Sequence, residues 1–154
     1  MNRTQRGAAL VEFAVMLPIV ILILLGIIEI GRFAYFSILV ANSAHAGAMY
    51  GAQRSATTED SAGMAAAAVA DLGPNPIGTV TPNPAPTWGY QCMSTTTGAV
   101  TTAFPATTPC PAGSTGRTYV KVVMTGTITP IFRYPLLPQT FSVTATSLMP
   151  VQTP

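Results

Sequence analysis

Arg6-Gly7-Ala8-Ala9-Leu10-Val11-Glu12-Phe13 opens the apolar run that decides how this chain is built. From Phe13 to Ile28 there are sixteen residues and no charge. With Ala8 to Val11 the run reaches about twenty residues, the length an α-helix needs to cross a bilayer's hydrocarbon core. Glu12 stands just inside it. A carboxylate at mid-membrane costs roughly 2.5–3.5 kcal/mol on insertion scales, and less near an end. Propensity gives no reason for it. Either Glu12 serves a purpose there, or it rests in the headgroup layer, directly or by snorkelling.

Toward the N-terminus lies Met1–Gly7, a short leader with Arg3 and Arg6 and no acid. The positive-inside rule then holds the N-terminus in the cytoplasm and sends the C-terminal portion across the membrane. A cleaved secretory signal is the rival reading; it needs an apolar region of 7–15 residues and a small-x-small site. Ala44-His45-Ala46 offers such a site, but it lies sixteen residues beyond Ile28, past Glu29 and Arg32. The apolar run is also too long. Retention as an anchor is the expectation.

Toward the C-terminus the helix should continue. Pro18 lies inside the span and is expected to kink or loosen it near the carbonyl of Ala14, which bilayer helices tolerate. Glu29 and Arg32 are three apart, close enough to interact. Gly31 to Gln53 contains no proline and carries Phe33, Phe36, Val40 and Ala44 on one face. Ser43, Gly47 and Gly51 recur every four residues. Small residues at that interval let another helix approach closely; plain alanine-rich helix propensity is the competing explanation. The expected rod covers residues 8–53, with the transmembrane part at about 8–28, and about 68 Å of length at 1.5 Å per residue.

The run Arg6-Gly7-Ala8-Ala9-Leu10-Val11-Glu12-Phe13-Ala14, then Leu17-Pro18, Gly26-Ile27-Ile28-Glu29-Ile30-Gly31-Arg32, Ala41-Asn42-Ser43-Ala44 and Gly47-Ala48, resembles the TadE-like family. These are pilin-like proteins of the tight-adherence (Flp) pilus and secretion apparatus, and the likeness covers about residues 6–50. In the wider type IV pilin superfamily, prepilin peptidase cuts after a glycine, and a glutamate occupies the fifth mature position. The resemblance therefore implies a processing site at Gly7, Ala8, Glu12 and Phe13, with residues 1–7 as the leader peptide. It also implies a minor pilin or pseudopilin, because the major subunits of this pilus type are much shorter. The implied partners are the lipid bilayer, other pilin-like subunits, the assembly machinery and the peptidase. The implied location is the bacterial inner membrane, N-terminus cytoplasmic; entry into the pilus fibre is left open. The alternative is an unprocessed single-pass protein whose outer domain binds a partner.

Composition points the same way without any family. Of 154 residues, 49% are hydrophobic and only 8% charged, which favours a membrane class. The net charge of +2 comes from scattered basic residues, so no footprint for nucleic acid appears. One histidine, His45, sits in an alanine-rich helix, and Asp71 is the only acid beyond Asp60. No phosphate loop, metal set or nucleophile triad can be assembled. The expectation is no enzyme, no cofactor, no metal and no small-molecule substrate.

Residues 54–154 form the expected outer domain. A hinge at Arg54–Thr58 precedes a short helix ending at Leu72, with Thr57 or Thr58 as its cap and Glu59-Asp60 in its first turn. Gly73-Pro74 stops it. Residues 73–116 hold eight prolines and no period, and read as loop with at most short strands. Cys92 and Cys110 match neither a zinc motif nor a redox pair. Outside the cytoplasm they read as a disulfide, with a free-thiol pair as the alternative. Val120, Val122, Met124 and Ile128 alternate with polar residues, as do Phe141, Val143 and Ala145. Strands are expected at 118–129 and 140–148. The apolar loop Pro130–Pro138 between them would cover the sheet or touch a membrane or partner, the first being favoured. The fold class expected is α+β, a long N-terminal transmembrane helix and a small extracytoplasmic domain with a two- or three-stranded antiparallel sheet.

Overall fold

A single helix runs through both halves of the molecule. The computed structural model describes residues 3–74, 77–106, 110–132 and 138–152. Helix α1 (Arg3–Ala52) has 50 residues and continues through Pro18 without interruption. At 1.5 Å per residue it is about 75 Å long. From Leu10 to Leu24 every residue is exposed. The stretch is long and apolar enough to cross a membrane once, and none of its most apolar window is buried.

Burial begins at Phe36 and then recurs every fourth residue, at Val40, Ala44, Ala48 and Ala52. A four-residue step advances about 40° beyond a full turn, so this stripe winds around the helix. Its start therefore meets the sheet, while its end meets a second helix as well. Phe36 and Val40 lie over Gly126, where an added Cβ would come within 2.7 Å of Phe36 Cζ and 2.8 Å of Val40 Cγ2. Phe33 remains exposed but meets Phe141 edge to face, with ring centroids 6.0 Å apart.

Helix α2 (Ser55–Thr58) is a single turn and α3 (Ser61–Asp71) packs back along α1. The cap of α3 is Asp60, whose carboxylate accepts from the Gly63 N–H at 2.8 Å. This corrects the expectation of Thr57 or Thr58. Those threonines close the previous helix instead. Thr58 Oγ1 donates to the Gly51 and Arg54 carbonyls at 3.2 and 3.0 Å. The Ala52 carbonyl receives the Gln152 N–H at 3.0 Å, so the end of α1 is satisfied by the turn that follows it and by one distant segment.

The remaining elements are β1 (Thr79–Pro82), β2 (Thr87–Ser94), β3 (Val100–Ala106), β4 (Ser114–Ile128) and β5 (Phe141–Pro150). They form one five-stranded antiparallel sheet, so the α+β class stands while the sheet exceeds the two or three strands expected. Strand β4 is its spine. One edge pairs with β5 from Tyr119↔Pro150 to Ile128↔Phe141. The other edge carries β2 against Ser114–Lys121 and then β1 against Met124–Thr127, with β3 outside β2. Among its described residues, the stretch 73–116, expected as loop with at most short strands, carries β1, β2, β3 and the start of β4, the outer part of the sheet. Its inner face sets Val120, Val122, Met124 and Ile128 against α1 and α3, together with Met64, Ala68, Leu72 and Val80.

Candidate functional site

The polar boundary between the bare helix and the domain is built from three groups. Arg32 Nη1 lies 3.2 Å from both Glu29 carboxylate oxygens, an i,i+3 pair in which both side chains are partly buried. The backbone N–H of Ile131, just past β4, donates to Glu29 Oε1 at 3.1 Å. Glu29 therefore receives a helix neighbour and a loop a hundred residues away. A groove of about 470 Å³ opens beside it, lined by Gly26, Glu29, Ile30, Phe33, Ile128, Pro130 and Phe141. Ile131 and Phe132 stay 55% and 39% exposed, so the described part of the Pro130–Pro138 loop does not cover the sheet as expected. Residues 133–137 of that loop lie outside the described residues.

Below this collar, α1 presents an apolar surface that the described residues leave exposed. Leu10 and Phe13 are 69% and 65% exposed, and Glu12 projects from the same exposed stretch. Gly7 is exposed, and an added Cβ there meets nothing within 4 Å. The backbone around Gly7 and Ala8 is helical. Of the leader, Met1 and Asn2 lie outside the described residues.

Above the collar the small-residue stripe is occupied within the chain. At Gly47 an added Cβ would meet the Met64 carbonyl at 2.8 Å, Ala68 Cβ at 3.0 Å and Val122 Cγ1 at 3.2 Å. Gly51 is crossed by the Met64 side chain. Ser43 is buried, its hydroxyl donating to the Val40 carbonyl at 2.9 Å. The helix that approaches this stripe is α3, not one from outside.

Two further links hold the domain on α1 and on itself. Tyr50 Oη donates to Asp60 Oδ2 at 3.0 Å, so one carboxylate caps α3 and ties it to α1. The hydrogen bond to Asp60 and its negative charge raise the Tyr50 phenol above its ordinary value. Cys92 of β2 and Cys110 after β3 form a disulfide, closing the outer hairpin against β4. Among the described residues no group of three His, Cys, Asp or Glu side chains gathers to hold a metal.

The bare helix, its acid and the Glu29–Arg32 part of the collar lie within one recognisable segment. Residues 7–49 match the TadE-like protein family. The TadE-like segment starts at Gly7, runs down the exposed span and ends inside the stripe that α3 covers. It is the family that the N-terminal motifs resemble. The sheet lies outside the TadE-like match. No curated protein and no solved structure matches the chain.

Sequence reasoning named Gly7, Glu12, the stripe and the cysteines, but not the Glu29–Ile131 or Tyr50–Asp60 links. Neither has a local signal, because each joins residues that only the fold brings together.

Proposed function

We propose that this chain is a minor pilin-like subunit of a tight-adherence pilus or related secretion apparatus, made as a precursor and cut after Gly7 by prepilin peptidase. The observation that carries this is the TadE-like match beginning at Gly7 and continuing along a helix whose apolar surface is left exposed by the described residues. Such a surface needs a bilayer or other apolar helices around it. Arg3 and Arg6 precede the span, which favours a cytoplasmic N-terminus. The Cys92–Cys110 bridge suits a domain on the opposite, oxidising side.

Cleavage would leave Ala8 with a free amino group and Glu12 four residues on. In a low-dielectric bundle of helices that cation attracts a neighbouring subunit's glutamate more strongly than in water. Glu12 would then be the assembly determinant, and its cost in the membrane is offset on pairing. The outer domain, built on the same helix, would be displayed at the far membrane face. Chemistry is not part of this reading; the subunit binds and assembles.

The test is the mass of the mature protein from cells with an active prepilin peptidase. The expected N-terminus is Ala8, and Gly7→Ile should retain the leader. Intact Met1–Gly7 in the wild-type protein would refute processing and leave the unprocessed anchor as the better reading.

A further inference from the structure

With the chain anchored as proposed above, a second apolar element comes to rest at the bilayer surface. We infer that Ile131 and Phe132, with the groove beside them, form an interfacial phospholipid-contact site that holds the outer domain down on the membrane. Leu10 to Ile28 is nineteen residues, about 28 Å of helix, which matches a hydrocarbon core of about 30 Å. Glu29 and Arg32 then fall at headgroup level. The hydrogen bond from the Ile131 N–H to Glu29 fixes Ile131, just past β4, at that same depth.

At that depth the exposure of Ile131 and Phe132 has a use. Aromatic and aliphatic side chains beside a cation favour the boundary between headgroups and acyl chains. The groove supports the same occupant, because Gly26 and Ile30 belong both to its wall and to the lipid-facing side of α1. An added Cβ on Gly26 meets nothing within 4 Å, so the groove opens directly onto the span. Its lining is apolar apart from the Glu29 carboxylate, which Arg32 and Ile131 already engage. A phospholipid acyl chain fits this surface, with Arg32 at the level of its phosphate.

The experiment uses the full chain in phosphatidylcholine vesicles whose acyl chains carry bromine at a shallow or a deep position. Trp88 is the single tryptophan, and it pairs with Val120, eight residues up β4 from Ile128. That puts it about 27 Å above the collar, so the wild-type protein should not be quenched. In a Trp88→Phe background, Phe132→Trp should lose about half its emission to shallow bromine and less to deep bromine, as expected for burial of about 5–10 Å. Ile131→Trp serves as a second probe should the first variant misfold. Leu17→Trp, at mid-span, reports the anchor itself and should respond most to deep bromine. Quenching at position 17 with none at 131 or 132 would overturn the lipid contact and leave the anchor standing. No quenching at position 17 would overturn both. Emission at 132 that is unquenched but blue-shifts as protein is packed more densely would assign the patch to a second copy of the chain, and so refute the lipid site.

Discussion

Replacing Gly47 by alanine separates two uses of the small-residue stripe. A methyl there would sit 2.8 Å from the Met64 carbonyl and 3.0 Å from Ala68 Cβ. The first is backbone of α3 and cannot swing aside, so α3 must shift as a unit. Overpacking of this kind typically costs about 1–3 kcal/mol. Against it stands helix propensity, since alanine is favoured over glycine in a helix by about 0.8–1.0 kcal/mol. The expected net effect is a loss of about 1 kcal/mol. For a domain of this size that lowers the thermal midpoint by about 4–8 °C. The assay is thermal unfolding of the full chain in detergent micelles, followed by Trp88 emission. Gly31→Ala is the control, because an added Cβ there meets nothing within 4 Å and propensity acts alone. A Gly47→Ala variant that melts higher than wild type, as propensity by itself dictates, would refute the packing of α3 on this stripe.

The Tyr50–Asp60 link gives a pH dependence. Its raised phenol pKa means the contribution is complete below the unfolded value of about 10 and is lost as pH climbs through the folded value. Denaturant midpoints should therefore fall above pH 10, and Tyr50→Phe should flatten that slope; equal slopes would count against the link. Opening the Cys92–Cys110 bridge, eighteen residues apart, is expected to cost about 3 kcal/mol on the chain-entropy model. Cys110→Ala checks this by its unfolding midpoint, and alkylation without reductant should label neither cysteine of the wild-type protein. Glu12→Ala should still insert and be cleaved but assemble poorly, since losing one partner of a buried ion pair costs about 3–5 kcal/mol. Normal piliation with Glu12→Ala would contradict that role.

The parts of the fold that follow local rules were legible in the residues. The apolar span, the face from Phe36 to Ala44 and the alternation of β4 and β5 each repeat over several turns or residues. Strands β1 to β3 break their own period. Pro82 ends β1, Pro84 and Pro86 fill the step to β2, and Pro105 lies in the edge strand β3, where a missing N–H is tolerated. In β2 the buried positions are Gly89 and Cys92, three apart, because the register against β3 shifts between Tyr90 and Cys92. Threonine and aspartate both suit the cap of α3, and only the end of α1 shows that Thr58 is engaged elsewhere. At the candidate site, Gly7 and Glu12 stand out by sequence. The collar does not, since Ile131 reaches Glu29 only through the whole sheet.

The uninterrupted course of α1 makes residue number an angle. Glu12 and Phe36 are twenty-four residues apart on one helix, so at about 100° per residue they point about 240° apart around its axis. Nothing between them acts as a swivel, and the azimuth of the acid fixes the azimuth of the sheet. Inserting one residue near Gly31 would lift the sheet by only about 1.5 Å but turn it by about 100°. Inserting seven would restore its heading to within about 20°. Two chains of nearly identical composition and hydropathy would then turn their sheets toward different neighbours while their acids met the same ones.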